Sequence, residues 1–184
     1  MEFEFFILDW IQTHLRHPIL DPIIVFITTL GNAGILWIGL TILLAVRKST
    51  RKTAAALAVA LGLCLLCGNL LLKPLIGRIR PFNVQDAITL LIAAPLDYSF
   101  PSGHTMSSFA AAMVLLLTDR RMGIPAMLLA GLIAFSRMYL YVHYPTDVLA
   151  GLLMGCLFGW LAVRIVQKLH ARRFQRNQQE KPHS

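Results

Sequence analysis

The sequence predicts an all-α fold, a polytopic bundle of membrane helices. Hydrophobic residues make up 57% of its 184 residues, and the mean hydropathy is +0.65. Both values exceed those of ordinary soluble proteins. Five apolar stretches have about the length, roughly 17 to 25 residues, that a helix needs to cross the hydrocarbon core of a membrane. We therefore expect about five transmembrane helices, preceded by one helix at the membrane interface.

The N-terminal stretch, residues 3–20, is apolar on one face but carries polar side chains at short intervals. The polar residues interrupt the apolar stretch before it is long enough to span the membrane; they are Asp9, Gln12, His14 and Arg16. This pattern is typical of an amphipathic helix in the interface, where a sixth span would otherwise stand. The five predicted spans follow at residues 23–46, 53–72, 102–118, 122–142 and 148–166.

The predicted spans and their connections, residues 1–169, are expected to form a single membrane-embedded domain. Residues 170–184 are polar, which indicates a disordered tail. An odd number of thiols buried in apolar spans favours neither a disulfide framework nor a zinc site. Ordinary core residues are therefore expected at Cys64, Cys67 and Cys156.

The positive charges indicate how the chain is oriented in the membrane. The formal net charge is +8, and a strongly basic protein can bind nucleic acid. Here, however, the five-span arrangement places eleven Lys and Arg residues on one side of the membrane and five on the other. The richer side carries Arg47, Lys48, Arg51, Lys52, Arg120, Arg121, Lys168, Arg172, Arg173, Arg176 and Lys181. By the positive-inside rule this side and the C-terminal tail are cytoplasmic, so no nucleic-acid partner is predicted.

The other, extracytoplasmic side carries polar residues at the ends of the spans. Spans two and three, and spans four and five, are joined on this side, so these residues can converge at one depth. The converging residues are Lys73, Arg80, Ser102, Gly103, His104, Arg137, His143 and Asp147. A charge near the hydrocarbon, such as that of Arg137, needs an anionic partner. Arg78 by itself is more typical of an anchor at the membrane surface.

The residues around Pro145 are arranged for nucleophilic chemistry. Tyr144 precedes this proline and is biased away from the helix, so span four should end near His143 and span five should begin at Pro145. His143 then lies on a turn within reach of Asp147. A carboxylate that accepts a hydrogen bond from one imidazole nitrogen leaves the other nitrogen free as a nucleophile. The alternative interpretation of Asp147 is an acidic residue in the first turn of a helix.

The stretch PSGH, residues 101–104, complements this pair. Ser102 and Gly103 offer a hydroxyl and unhindered backbone N–H groups at a helix N-terminus, where anions bind. His104, just inside the helix, can donate a proton to a leaving group. Together with the cations, these residues predict a pocket for a phosphate-like anion and covalent chemistry on that anion.

Three motifs in this region resemble those of the type-2 phosphatidic acid phosphatase superfamily, whose integral membrane members are lipid phosphate phosphatases. The family motifs are KxxxxxxRP, PSGH and SRxxxxxHxxxD. The sequence has KPLIGRIRP at 73–81, PSGH at 101–104 and SRMYLYVHYPTD at 136–147, in the same order and without a gap. Arg78 occupies a position that the first motif leaves free. Many family members have six spans, one more than we predict here.

The resemblance implies a role for each matching residue. His143 would attack phosphorus to form a phosphohistidine, oriented by Asp147, and His104 would protonate the leaving group. The phosphate oxygens would be bound by Lys73, Arg80, Ser102, Gly103 and Arg137. The resemblance implies no metal and no cofactor.

The predicted orientation turns the site outward, where a short bacterial chain would meet undecaprenyl diphosphate. The resemblance also allows phosphatidate or phosphatidylglycerophosphate as the substrate, or transfer of phosphate to another lipid instead of water. A lipid transporter or an anion-binding scaffold is the non-enzymatic alternative, but it would have no use for a nucleophile such as His143. Segment 83–98 has an apolar middle that we expect to help cover the lipid. The sequence indicates no oligomeric state.

Overall fold

The computed structural model of the chain describes residues 2–85 and 88–179, and these residues form an all-helical fold, as the sequence predicts. Cys64–Leu72 is a π-helical segment that joins the fourth helix to the fifth. The α-helices are α1 (Glu2–His14), α2 (Leu20–Leu30), α3 (Ile35–Val46), α4 (Arg51–Leu63), α5 (Lys73–Ile76), α6 (Gly103–Thr118), α7 (Arg120–Tyr139) and α8 (Pro145–Gln179).

Three stretches of helix in the described ranges are long and apolar enough to cross a membrane: Lys48–Asn83, Arg120–Tyr139 and Pro145–Arg172. α2 and α3 make a fourth span if they are counted together across the bend of 42° between them. α6, which corresponds to the predicted span at 102–118, has 16 residues and is shorter than a full crossing. The membrane-helix bundle is confirmed, and the number of five spans stays a prediction.

The predicted span at 23–46 is not one continuous helix. The chain breaks between α2 and α3 at the stretch GNAG, residues 31–34. Ala33 and Gly34 have left-handed backbone conformations there, with φ of 49° and 68°, which glycine adopts readily and alanine rarely. The hydrophobic pattern does not reveal the break because the chain is apolar on both sides of it. The broken segment lies against α6.

α6 is the central helix of the bundle and packs against α4, α7 and α8. α8 approaches α6 so closely that it has glycine at three successive contact positions, Gly151, Gly155 and Gly159. A Cβ atom added at any of them would lie closer to a backbone carbonyl oxygen of α6, or of Ser102 directly before it, than real Cβ atoms come. Small residues at this spacing let two helix backbones touch. The contact fixes the N-terminal turn of α6, where PSGH lies.

α1 is held against the connection between α7 and α8. Gln12 donates a hydrogen bond to the carbonyl oxygen of Tyr139 (2.7 Å), and the Tyr141 hydroxyl donates to Asp9 Oδ1 (2.6 Å). α7 ends at Tyr139, earlier than the predicted end near His143, whereas α8 begins at Pro145 as predicted. Residues 140–144 therefore form a short turn that holds His143 outside both helices.

The basic connections between helices lie at the end of the bundle opposite to PSGH. Lys52, Thr118 and His170, from α4, α6 and α8, line one groove there. α8 continues to Gln179, so residues 170–179 are helical where we expected a disordered tail. This segment is rich in Arg and Gln, which extend an existing helix at little cost. Residues 180–184 lie outside the described part of the chain.

Candidate active site

One cavity of about 700 Å³ collects most of the predicted site residues. Ser102 and Asp147 lie behind its wall, and both are fully buried. Ile38, Leu61 and Leu65 line an apolar part of the cavity. The wall contains six of the eight predicted residues: Lys73, Arg80, Gly103, His104, Arg137 and His143. The cavity thus has a cationic end and an apolar end, which matches a lipid with an anionic headgroup.

Two arginines at the cationic end are positioned by neighbouring polar groups. Arg80 donates through Nη1 to the carbonyl oxygen of Val142 (2.6 Å) and through Nε to the carbonyl oxygen of Asp97 (2.7 Å). Arg137, buried near the end of α7, donates to Thr28 Oγ1 (2.6 Å). Within the described residues, its Nε has no hydrogen-bond partner. A buried guanidinium with an unused donor can bind a further acceptor, such as an oxygen of an anion.

A carboxylate of the protein itself, that of Asp97, is bound between two of the cations. It accepts hydrogen bonds from Lys73 Nζ and from Arg80 Nη2, the second at 2.6 Å. Partial burial by itself would raise the pKa of Asp97, but the hydrogen bonds and charges of Lys73 and Arg80 outweigh burial and lower the pKa to about 2. Asp97 is therefore ionised at neutral pH. The motifs do not include Asp97, and its position just before PSGH was the only sequence signal for it.

His143 presents its Nε2 atom to the cationic end of the cavity. Arg80 Nη1 lies 3.2 Å from Nε2, and because a guanidinium only donates, Nε2 accepts through its lone pair and is the unprotonated nitrogen of the ring. In the neutral ring the proton is then on Nδ1. Burial, followed by the positive charges of the three cations, lowers the pKa of His143 well below its ordinary value. The ring is therefore neutral at physiological pH, which is the state that a nucleophile needs.

Asp147 lies next to His143 but makes its hydrogen bonds to other groups. Its Oδ2 accepts from the Ser99 hydroxyl (2.5 Å) and the backbone N–H of Tyr144 (3.0 Å), and its Oδ1 accepts from Arg78 (2.5 Å). Oδ2 is 3.6 Å from His143 Nδ1, an ion-pair distance that is too long for a hydrogen bond. The hydrogen bond that we expected between them is therefore not formed, because Oδ2 is held by Ser99 and Tyr144. The nearby negative charge still favours the tautomer with the proton on Nδ1.

Arg78, which the motif leaves without a role, is part of this network. Its guanidinium donates to Asp147, to Thr146 Oγ1 (2.7 Å) and to Glu4 Oε2 of α1 (2.6 Å). It also lies 3.9 Å from the centre of the Tyr144 ring, a favourable cation–π distance. The structure corrects the interpretation of Arg78 as a surface anchor, because its charge is paired with the buried Asp147. Glu4 carries no sequence signal, since α1 is distant from the motifs along the chain.

At the N-terminus of α6, Ser102 is buried in the protein interior, whereas the side chain of His104 lines the cavity. Ser102 donates its backbone N–H to the carbonyl oxygen of Asp147 (3.1 Å), and its hydroxyl accepts from Thr105 (2.9 Å). His104 instead faces the cavity, where its Nε2 lies 2.9 Å from Asn32 Oδ1. The chain therefore brings two imidazoles, those of His143 and His104, to the same cavity.

The segment before PSGH covers part of the cavity. Ile92, Ala93 and Pro95 line the cavity wall, while Leu90 and Leu91 pack against the buried cluster around Tyr139 and Leu140. This position agrees with the covering role expected for residues 83–98. Residues 86 and 87 of the segment lie outside the described part.

Comparisons with known proteins match this architecture. The profile of the PAP2 superfamily matches residues 51–171, a range that contains all eight predicted site residues. An undecaprenyl-diphosphatase from Sulfolobus acidocaldarius is 37% identical over 147 residues, which are 79% of this chain and 70% of that protein. The crystal structure of Aquifex aeolicus LpxE matches with a TM-score of 0.77 and 29% identity, over 88% of this chain and 95% of that one. The crystal structure of a PAP2-type phosphatidylglycerolphosphate phosphatase from Bacillus subtilis matches with a TM-score of 0.69 and 28% identity, over 84% of this chain and 80% of that one.

Proposed function

This chain belongs to the PAP2 superfamily and is a membrane lipid phosphatase of that type, and on this premise we propose that it hydrolyses undecaprenyl diphosphate to undecaprenyl phosphate and inorganic phosphate. The similarity to an undecaprenyl-diphosphatase supports this substrate. The lining of the cavity supports it as well, because cations are available to bind a diphosphate and the apolar side chains of Ile38, Leu61 and Leu65 are available to contact a polyprenyl chain.

The proposed reaction has two steps, and His143 is the nucleophile. Nε2 attacks the terminal phosphorus, the P–O bond to the lipid breaks, and His104 gives a proton to the leaving oxygen. Water then attacks the phosphorus of the phosphohistidine, His104 takes a proton from that water, and the P–N bond breaks to release phosphate. The observation that carries this mechanism is the contact between Arg80 and His143, which identifies Nε2 as the unprotonated nitrogen. In this scheme Arg80 turns its donor to the phosphate, and the lone pair of Nε2 is then free to attack.

The cations stabilise the charge that develops on the phosphate oxygens. Lys73, Arg80 and Arg137 supply the positive charge that metal ions supply in other phosphatases, so the proposed reaction needs no metal. The phosphate takes the place of the Asp97 carboxylate on Lys73 and Arg80. The donor of Arg137 that is free in the structure becomes a phosphate ligand in this scheme.

A phosphate-release assay tests the function. Purified protein in detergent, with a chelator present, is given undecaprenyl diphosphate, phosphatidylglycerophosphate and phosphatidate in parallel. We expect metal-independent release of phosphate, fastest from the diphosphate lipid. Faster release from phosphatidylglycerophosphate would replace the substrate and keep the mechanism. Loss of activity on chelation would contradict metal independence, and phosphate that appears on a lipid acceptor would identify a transferase.

The active site faces the extracytoplasmic side and the C-terminus is cytoplasmic in this proposal. The support is the excess of Lys and Arg at the end of the bundle opposite the cavity. In a variant without native cysteines, Ser49→Cys should escape an impermeant thiol reagent in intact cells and react after permeabilisation. The exposed Leu96→Cys, beside the cavity, is the matched control and should react in intact cells. The reverse labelling pattern would invert the topology.

A further inference from the structure

The break between α2 and α3 brings an amide side chain to the proton donor of the site. Asn32 Oδ1 lies 2.9 Å from His104 Nε2, and both residues line the cavity. Gly31 packs against the same ring, because a Cβ atom there would lie 2.8 Å from His104 Cδ2. Ala33 and Gly34 then turn the chain through left-handed conformations. Residues 31–34 thus interrupt an apolar helix next to the side chain of His104.

The contact determines which nitrogen of His104 carries a proton. An amide oxygen only accepts, so Nε2 must donate to Asn32 and is the protonated nitrogen of the neutral ring. When the ring takes up its second proton, that proton is on Nδ1, while Nε2–H remains bound to Asn32. A hydrogen bond to one ring nitrogen fixes both the tautomer and the ring orientation in this way.

We propose that Asn32 is a positioning residue for the general acid: it holds the ring of His104 through Nε2 and leaves Nδ1 to protonate the leaving oxygen of the lipid. This inference rests on the proposed function. It adds to the family's motif residues a residue from outside the matched range 51–171. A solvent-exposed asparagine with no role would not require a glycine before it or two left-handed residues after it. A fixed contact between Asn32 and His104 does require them, because the chain must pack closely against the ring and then turn away from it.

The leaving group provides a test that separates positioning of the acid from other effects. An alkoxide is a poor leaving group and needs a proton as the P–O bond breaks, whereas nitrophenolate leaves as a stable anion. A defect in the general acid therefore lowers kcat/KM for an alkyl phosphate more than for nitrophenyl phosphate. A change in phosphate binding affects both substrates equally and cancels in the ratio of the two kcat/KM values.

The experiment compares Asn32→Leu, which has a similar shape and cannot accept a hydrogen bond, with Asn32→Asp, which can. For Asn32→Leu we expect the ratio of kcat/KM for short-chain phosphatidate to that for nitrophenyl phosphate to fall about tenfold or more, a part of the roughly 10²- to 10⁴-fold effect of a general acid. Asn32→Asp should keep the wild-type ratio. Thr41→Val removes from α3 a hydroxyl that does not line the cavity and donates to the carbonyl oxygen of Trp37, and it should also keep the ratio.

A measurement without turnover accompanies the kinetics. In protein labelled with ¹⁵N-histidine, the NMR signal of His104, assigned with a His104→Gln variant, should report an Nε2–H tautomer in the wild type and in Asn32→Asp, and a mixture in Asn32→Leu. An unchanged His104 signal in Asn32→Leu, or an unchanged ratio of kcat/KM, would overturn the role of Asn32. No phosphate release by the wild type from undecaprenyl diphosphate or from either test substrate would overturn the proposed function, and the catalytic use of this contact with it.

Discussion

Replacement of His143 with alanine is expected to abolish phosphate release, with a loss of about a thousandfold or more, because no other group in the cavity presents a lone pair to phosphorus in the proposed mechanism. Binding of the lipid should persist, since Lys73, Arg80 and Arg137 all remain in place. The measurement is phosphate release, together with capture of the intermediate from substrate labelled on the terminal phosphate and quenched in alkali.

The matched control for His143→Ala is His170→Ala, which removes a histidine at the other end of the bundle. This control should release phosphate at the wild-type rate and form a labelled protein intermediate, whereas His143→Ala should form none. A labelled intermediate in the His143→Ala protein, or steady hydrolysis at a rate near that of the wild type, would show that another residue is the nucleophile.

Replacement of Arg137 with lysine is expected to lower kcat/KM about a hundredfold to a thousandfold, although the charge is preserved. The reason is geometric: lysine lacks the planar set of donors, and loss of one donor to a developing charge has an effect of this size. Because no carboxylate contacts Arg137 among the described residues, the variant should melt at or above the wild-type temperature. Inhibition by inorganic phosphate or vanadate should weaken in parallel.

Arg164→Lys provides the control for this substitution. Arg164 is an exposed arginine of α8 outside the cavity, and its replacement should leave kcat/KM unchanged. A wild-type kcat/KM for Arg137→Lys would mean that the buried guanidinium holds α7 against Thr28 and does not bind the substrate. A lower melting temperature with unchanged inhibition by phosphate would point to the same conclusion.

The sequence predicted the positions of the residues that face the cavity well, because their motifs lie at the ends of consecutive helices. Two helices that share a connection must present their joined ends on the same side, and this constraint alone brings Lys73 and Arg80 near His104, and Arg137 near His143. Hydrophobic length likewise predicted the all-helical bundle. Neither property depends on the details of side-chain packing.

Partners that come from distant segments could not be predicted in this way. Glu4 and Asn32 reach the site because α1 and the α2–α3 break pack against it, and periodicity contains no information about such contacts. Asp147 was assigned to His143 from their spacing, but three competing donors occupy its oxygens in the folded chain. The stretch GNAG did carry a local signal, since Gly and Asn favour left-handed backbone, yet the surrounding apolar residues concealed it.

The glycines of α8 also restrict where a lipid can reach the cavity. Gly151, Gly155 and Gly159 bring the backbones of α6 and α8 into contact, so no acyl or prenyl chain can slide between these two helices. The cavity also reaches the exposed side chains of Ile38, from α3, and Leu65, from the π-helical segment after α4. The contact between α6 and α8 is therefore closed, whereas apolar side chains of α3 and of the segment after α4 remain exposed where they line the cavity.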